Sequence, residues 1–400
     1  MNRPIRSEWM WPSLLDQFGA EAVMKTCAGA GVTDVFLLTK GTNGKVLYQP
    51  RTSGAPMMYD RDLFSQALCA AHSAGIRVHA WLCCMTDEHY AAAHPAERRC
   101  HFVKGRVGGF ISAQSERYIE YLASIAREIV GNYDVDGVHL DYIRYNHAQN
   151  GWGAEDFALL KSRYGLTNED CVALARALCK TYGLTLAVDG DGLPTHPERD
   201  SEATVIETFD VGDEKTLFTL YRENDRAVRA FAAMRADLIE NVIKAMREAV
   251  GQAGGERPVF SAAYMPESAD PENRAFGLVH YGQDFARAAR LFDWICPMTY
   301  SVEFKKPAQW LQMLTRDAVE KGNTVVTGVQ AFDRATSDTM AADIRAARAG
   351  GAIGYALFRS GQFDRVNIAR EGQLLRATYL PTRDDGVIAA QLTITAGAKT

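Results

Sequence analysis

The sequence predicts an α/β fold, a (β/α)8 TIM-type barrel with a long insertion after the strand that lies within residues 135–145. Predicted strands and helices alternate along the 400 residues, which is typical of a parallel sheet covered by helices. The composition, 47% hydrophobic and 23% charged, is that of an ordinary globular protein. The length suits one large barrel with insertions.

The alternation predicts nine strands where a barrel needs eight. Besides the strand within 135–145, strands are predicted at 7–11, 33–39, 76–84, 184–188, 258–265, 292–300, 324–330 and 352–358. Helices are predicted at 18–29, 62–73, 115–130, 155–164, 169–181, 230–250, 282–291, 308–321 and 337–349, and 195–226 is expected to be irregular.

Either 7–11 or 184–188 must lie outside the barrel. We expect 184–188 to lie in an insertion at about 150–230 that caps the site, because a connection this long is usually functional or disordered. The barrel would then occupy 1–380. Residues 381–400 would form a C-terminal tail that carries a β-like run, VIAAQLTITA.

Charge and motifs exclude several classes of protein. A net charge of −5 and a pI near 6.0 argue against nucleic-acid binding. No apolar stretch reaches membrane length, and no N-terminal signal is visible. The eight cysteines show no CxxC or zinc-ligand spacing, no HxH pair occurs, and no phosphate-binding loop is present. We therefore expect a cytoplasmic protein without metal or cofactor, although a secreted protein whose signal peptide had been removed would look the same. The oligomeric state is left open.

The stretch VDGVHLDYIRY at 135–145 has the period of two expected of a strand. Val138 and Leu140 would face the helices, which leaves Gly137, His139 and Asp141 on the other face. Asp141 stands at the C-terminal end, where parallel barrels carry their chemistry. An aspartate that closes a strand is also a common turn residue, but the His and Asp on one face favour function.

Several motifs resemble the glycosyl-hydrolase-like family 10, bacterial glycosidases with a TIM-type barrel. The matching segments are FISAQSERYIEYL at 110–122, YDVDGVHLDYIRY at 133–145 and FDWICPMTY at 292–300. The resemblance extends from about residue 5 to 360 and implies a glycosidase that acts on an oligo- or polysaccharide. The chain departs from that pattern in the segment 167–226, at Asn146 where the family has proline, and in lacking a secretion signal.

The strand is also similar to the DGxDxDxE motif of family 18 chitinases. Ile143 stands where that motif has its proton-donating glutamate, and a side chain without an ionisable group cannot donate a proton. An acetamido-assisted chitinase mechanism is therefore not expected, although a later segment, Met298–Ser301, resembles the chitinase MTYD.

Glycoside cleavage needs one ionised and one protonated carboxyl group. We predict Asp141 as the ionised group, with Arg144 holding it deprotonated or binding substrate hydroxyls. His139 would orient Asp141 or, alternatively, be a core histidine bonded to a backbone carbonyl. The acid is predicted among carboxyl groups that follow strands, chiefly Glu267 and Glu303. Further candidates are Asp87, Glu88, Asp189, Asp191 and Asp333.

Other side chains at strand ends are predicted to bind the sugar. Trp81 would stack on a pyranose ring or fill the core, and Tyr300 and Gln330 would bond sugar hydroxyls. The expected substrate-binding residues also include Lys40, Asn43 and Asp333. The acidic turn at 189–192 and the negative net charge favour a neutral or cationic saccharide. The alternative is a non-catalytic carbohydrate-binding barrel that has lost its acid.

Overall fold

Eight parallel strands close into a barrel in the computed structural model, which describes residues 5–188, 193–194, 207–209, 211–252, 257–359, 374–379 and 390–395. The strands, in chain order, are β1 Ile5–Met10, β2 Asp34–Lys40, β3 Arg77–Cys83, β4 Gly137–Asp141, β5 Val259–Tyr264, β6 Trp294–Pro297, β7 Val326–Gln330 and β8 Gly354–Phe358. Each strand pairs in parallel with the next from β1 to β6, β7 pairs with β8, and β8 pairs with β1. Two bridges, Ile295 with Val325 and Met298 with Gly328, join β6 to β7. The predicted fold class is confirmed.

The surplus strand lies outside the barrel, as the sequence predicts. Residues Leu186–Val188 pair in antiparallel fashion with Glu207–Phe209, whereas Ile5–Met10 lies between β2 and β8. The N-terminal strand is therefore the first strand of the barrel. The long connection between β4 and β5 is the insertion, and its acidic turn at 189–192 lies outside the described residues.

The helices cover the outside of the sheet and its connections. They are α1 Pro12–Phe18, α2 Ala20–Gly29, α3 Leu63–Ser73, α4 Glu88–Ala93, α5 Glu116–Asn132, α6 Ala154–Tyr164, α7 Asn168–Tyr182, α8 Leu217–Arg222, α9 Arg226–Gly251, α10 Arg274–Tyr281, α11 Phe285–Ala288, α12 Ala308–Glu320 and α13 Ser337–Ala349. Side chains of Asp62, Ser115 and Asp225 accept bonds from the first-turn amides of α3, α5 and α9.

Two sequence-based assignments differ from the structure. The helix predicted at 282–291 is shortened to α11, because Gly282 takes φ 66° and ends the preceding α10, and the Asp284 side chain caps α11. The segment 195–226, expected to be irregular, contains α8, whose first turn is capped by Thr216.

Besides the pair in the insertion, the described residues hold two further antiparallel strand pairs outside the barrel. The connection from β3 to β4 holds Arg98–His101 paired with Gly105–Ile111. The β-like run near the C-terminus has Leu374–Tyr379 as the partner of Ala390–Thr395. No helix in the described ranges is long and apolar enough to cross a membrane.

Alternate residues of each strand face the helices or the barrel axis. Val138 and Leu140 are fully buried in the large core between sheet and helices, and Gly137, His139 and Asp141 are left for the interior. Gly137 makes room for a neighbouring ring, because a Cβ there would lie 2.0 Å from His79 Nδ1. The absence of a side chain on β4 thus lets the polar ring of β3 fit inside the barrel.

Replacing Gly137 by alanine is expected to destabilise the protein by about 1–3 kcal/mol through overpacking, as measured by denaturant unfolding. Gly131→Ala is the matched control, because Gly131 lies in α5 and a Cβ added there would have nothing within 4 Å. That change should be neutral or slightly stabilising. Equal stability of the two variants would contradict the close approach at Gly137.

Candidate active site

Asp141 ends β4 at the C-terminal face of the barrel and keeps 6% of its surface exposed. Its two carboxylate oxygens are held from three sides. Trp81 Nε1 donates to Oδ2 at 3.1 Å, while the Tyr142 amide at 2.6 Å and Arg144 at 3.1 Å donate to Oδ1. The three donors thus fix the orientation of the Asp141 side chain at the mouth of the barrel.

Tyr142 has the left-handed backbone conformation, with φ 50°. Such a conformation costs free energy in a non-glycine residue and persists only where the surroundings impose it. Here it turns the Tyr142 amide back onto the Asp141 carboxylate and starts the loop that carries Arg144. The backbone conformation of Tyr142 thus helps to orient Asp141.

His139 lies one layer deeper and does not bond Asp141. Trp9 Nε1 donates to His139 Nε2 at 3.1 Å, and the His139 Nδ1–H lies 2.9 Å from Ser261 Oγ. The Phe36 ring stacks on the imidazole with centroids 4.1 Å apart. Burial, together with nearby His79, holds the pKa of His139 well below its ordinary value. The ring is therefore neutral and forms the floor beneath the Asp141 layer.

A pocket of about 580 Å³ opens above Asp141. Its described lining is mostly apolar and aromatic: Trp9, Trp11, Pro12, Ser13, Leu38, Gly41, Thr42, Asn43, Lys45, Met58, Tyr59, Trp81, Cys83, Asp141, Tyr142, Arg144, Met298, Tyr300 and Phe358. Of the residues predicted from the sequence, the pocket brings together Asp141, Arg144, Trp81, Tyr300 and Asn43. Burial, followed by the charge of Asp141, raises the pKa of the Tyr300 hydroxyl, so Tyr300 is a neutral donor here.

Sequence reasoning missed several lining residues. Trp11, Met298 and Phe358 follow or end barrel strands, so the strand-end rule that selected Trp81 could have found them too. Met58 and Tyr59 lie in the long loop after β2, and no local pattern predicts that this loop returns to the pocket.

Several other predicted residues, among them Gln330, Glu303, Asp333 and Lys40, are not among the described lining of the pocket. Gln330 is buried, and its side-chain oxygen accepts the Glu303 amide at 2.8 Å. Glu303 and Asp333 have exposed side chains. Lys40 is the last residue of β2 rather than part of the following loop, and it is fully buried.

Lys40 is held by the connection after β3. Its ammonium group lies 3.0 Å from the Cys83 carbonyl, 3.2 Å from the Thr86 carbonyl and 3.1 Å from Asp87 Oδ2. The ammonium group therefore donates hydrogen bonds to two carbonyls and forms an ion pair with the Asp87 carboxyl group. Both side chains of the Lys40–Asp87 pair are fully buried, so we interpret the pair as structural.

Glu267 follows β5 in the short 3-10 turn Pro266–Ser268 and is half-buried. Burial raises its pKa, although the Tyr281 hydroxyl, which donates to Oε1 at 3.3 Å, and the charge of Arg144 oppose that rise. The second oxygen, Oε2, is buried and has no hydrogen-bond partner among the described residues. Glu267 therefore combines a raised pKa with an electrostatic link to the arginine that binds Asp141.

The remaining candidate acids fit the role less well or cannot be placed. Glu88 is exposed, and Asp189 and Asp191 lie outside the described residues. None of the described residues of 150–230 lines the pocket, so the predicted capping role of that insertion stays a prediction. Within the described ranges, no three His, Cys, Asp or Glu side chains are grouped so as to hold a metal ion.

Similarity to solved structures of known proteins also supports the barrel fold. No family model matches the chain, and no curated protein matches its sequence. Among solved structures the chain is similar to glycoside hydrolases with barrel domains, at sequence identities low enough that the likeness shows the fold alone.

One such structure is the PgaB (BpsB) glycoside hydrolase domain from Bordetella bronchiseptica, with a TM-score of 0.63 and 14% identity over 90% of this chain and 95% of that one. Another is α-L-fucosidase isoenzyme 2 from Paenibacillus thiaminolyticus, with a TM-score of 0.53 and 13% identity over 91% of this chain and 47% of that one. A β-galactosidase from Marinomonas ef1 gives 0.53 and 13%, over 89% and 54% respectively. The chain thus spans about half the length of the last two.

Lys40→Met is expected to destabilise the protein by about 3–5 kcal/mol, because it leaves the Asp87 carboxylate buried without its partner. Lys45→Met, at an exposed position five residues on, should change the unfolding free energy by less than about 0.5 kcal/mol. Thermal or denaturant unfolding measures both. A Lys40→Met variant as stable as Lys45→Met would reopen the substrate-binding role for Lys40.

Tyr281→Phe is expected to raise the pKa of Glu267 further, because the lost hydroxyl donates to the charged carboxylate. Carbon-13 NMR titration of the glutamate carboxyls, with the signal assigned through Glu267→Gln, measures the shift. Tyr133→Phe is the control, since the Tyr133 hydroxyl bonds Asp62 instead. A fall in the Glu267 pKa would contradict the assigned contact.

Proposed function

We propose that the protein is a glycoside hydrolase that cleaves an oligo- or polysaccharide at the C-terminal face of the barrel. The observation that carries the proposal is the Asp141 carboxylate, held by three donors at the base of an aromatic pocket. Aromatic faces suit the apolar faces of pyranose rings, and a fixed carboxylate suits the positive charge that develops at the reacting carbon. The structural likeness to glycoside hydrolases is consistent with this role.

The motifs DGVHLDYIRY and FDWICPMTY support the finer proposal that the chain is a glycosidase of the glycosyl-hydrolase-like family 10 type. Asp141 serves as nucleophile or base, and Glu267 serves as the acid. Glu267 is preferred to Glu303 because an acid that works near neutral pH needs a raised pKa; burial raises the pKa of Glu267, whereas Glu303 is exposed. Arg144 pairs with Asp141, and its charge opposes the rise that burial causes in the pKa of Glu267.

A second candidate function is a carbohydrate-binding barrel without catalysis. The specific observation in its favour is that Asp141 is the one carboxylate among the described residues that line the pocket, since Glu267 does not line it. The two candidates differ in turnover and share binding.

Asp141→Asn is expected to abolish hydrolysis of a responsive glycan without loss of folding, because the amide keeps the volume but cannot act as an anion. Glu267→Gln should reduce kcat by about 10²–10⁴, whereas the exposed Glu303→Gln should stay near wild type. Wild-type activity should also fall as the pH rises through the pKa of Glu267, and this limb should vanish in Glu267→Gln.

A hydrolysis screen across glycan types, with near-ultraviolet circular dichroism as the folding check, gives the readout. Unchanged turnover in Asp141→Asn would remove that residue from catalysis. Saccharide binding at the pocket with no turnover of any glycan would favour the binding-only barrel.

A further inference from the structure

A tight turn after β2, residues Gly41–Lys45, forms part of the pocket rim. The Gly41 amide donates to the Lys45 carbonyl at 3.0 Å, and the Asn43 side-chain oxygen accepts the Lys45 amide at 3.0 Å. The turn thus has a defined shape of its own, set by hydrogen bonds at both ends.

The turn also rests on the buried Lys40–Asp87 pair. The Glu88 amide donates to the Thr42 carbonyl at 3.0 Å. Gly44, at φ 81°, comes so close to α4 that a Cβ would lie 2.1 Å from Asp87 Oδ1. These contacts restrict the backbone of the turn, so the side chains of Asn43 and Lys45 face the pocket from a fixed position.

The charges of the pocket do not balance. Its described lining holds two cations, Lys45 and Arg144, and one anion, Asp141. Arg144 forms an ion pair with Asp141, whereas Lys45 has no ion-pair partner among the described residues and is exposed. The lining therefore carries one uncompensated positive charge, although the whole chain has a net charge of −5.

We propose that the turn Gly41–Lys45 is a subsite for an anionic substituent of the saccharide, a carboxylate or a sulfate, which Lys45 binds and Asn43 assists. This rests on the proposed function and names its substrate class. A cation in a chain of opposite net charge is a local attractor for anions. The subsite reverses the preference for a neutral or cationic saccharide that the net charge indicates.

The test is binding of the wild-type chain to immobilised saccharides of matched backbones in neutral, aminated, carboxylated and sulfated forms. Wild type should prefer the anionic forms. Comparing the carboxylated with the sulfated form shows which of the two substituents the subsite binds. Lys45→Gln should weaken binding of the anionic forms by about fivefold, the upper range for an exposed ion pair, and leave the neutral forms unchanged.

Lys45→Arg should retain the preference, since it keeps the charge, and Lys104→Gln, an exposed lysine outside the pocket lining, should behave as wild type. The proposal is overturned if wild type binds no anionic form better than its neutral counterpart, or if Lys45→Gln weakens both equally. Binding needs no turnover, so a failure of the hydrolase proposal would appear separately, in the screen of Asp141→Asn.

Discussion

The barrel interior depends on the hydrogen bonds of one fully buried imidazole. His139 sits where no water shell is available, and a buried polar ring is costly unless both nitrogens are paired. The Trp9 indole can only donate, so Nε2 of His139 must accept and its proton must be on Nδ1, facing Ser261. This chain of bonds joins β1, β4 and β5, which are far apart in sequence. The three strands are therefore held in one register at the level beneath the pocket.

The alternation of side chains along β4 places Asp141 on the same inner face as His139, one layer nearer the mouth of the barrel. Two residues past His139 the side chain again points inward, but at the mouth of the barrel, where Trp81 of β3 reaches it. Its ion pair with Arg144 is largely buried, with 12% and 8% of the two side chains exposed. Such a pair contributes little net stability once desolvation is counted. Its main effect is to fix the position of the Asp141 carboxyl group.

The sequence predicts those parts of the molecule that local pattern controls. The period of two in β4 is enough to place Asp141 and His139 on the inner face, and the N-terminal strand is correctly chosen over 184–188. The partners of His139 could not be predicted, because Trp9 and Ser261 come from strands more than a hundred residues away. Lys40 was expected to bind substrate because it follows an apolar run, and only the fold shows that Asp87 lies beside it.

The proposed acid that would act together with Asp141 could not be identified from the sequence either. Every candidate follows the C-terminal end of a strand or lies in the insertion, so position along the chain does not separate them. Burial separates the two main candidates. Glu267 is half-buried, which raises its pKa, whereas Glu303 is exposed to water.

The charges that act on a ligand are also local, and the net charge of the chain does not predict them. The negative sum over 400 residues describes the long-range field, which salt screens within about 10 Å at 0.1 M. A ligand in the pocket instead meets the few charges at the pocket wall. Arg144 is compensated there by Asp141, and Lys45 stands on a turn seated over a buried ion pair. Under the proposed function, specificity therefore depends on which charges the fold brings to the pocket rim, and that is a property of tertiary structure rather than of composition.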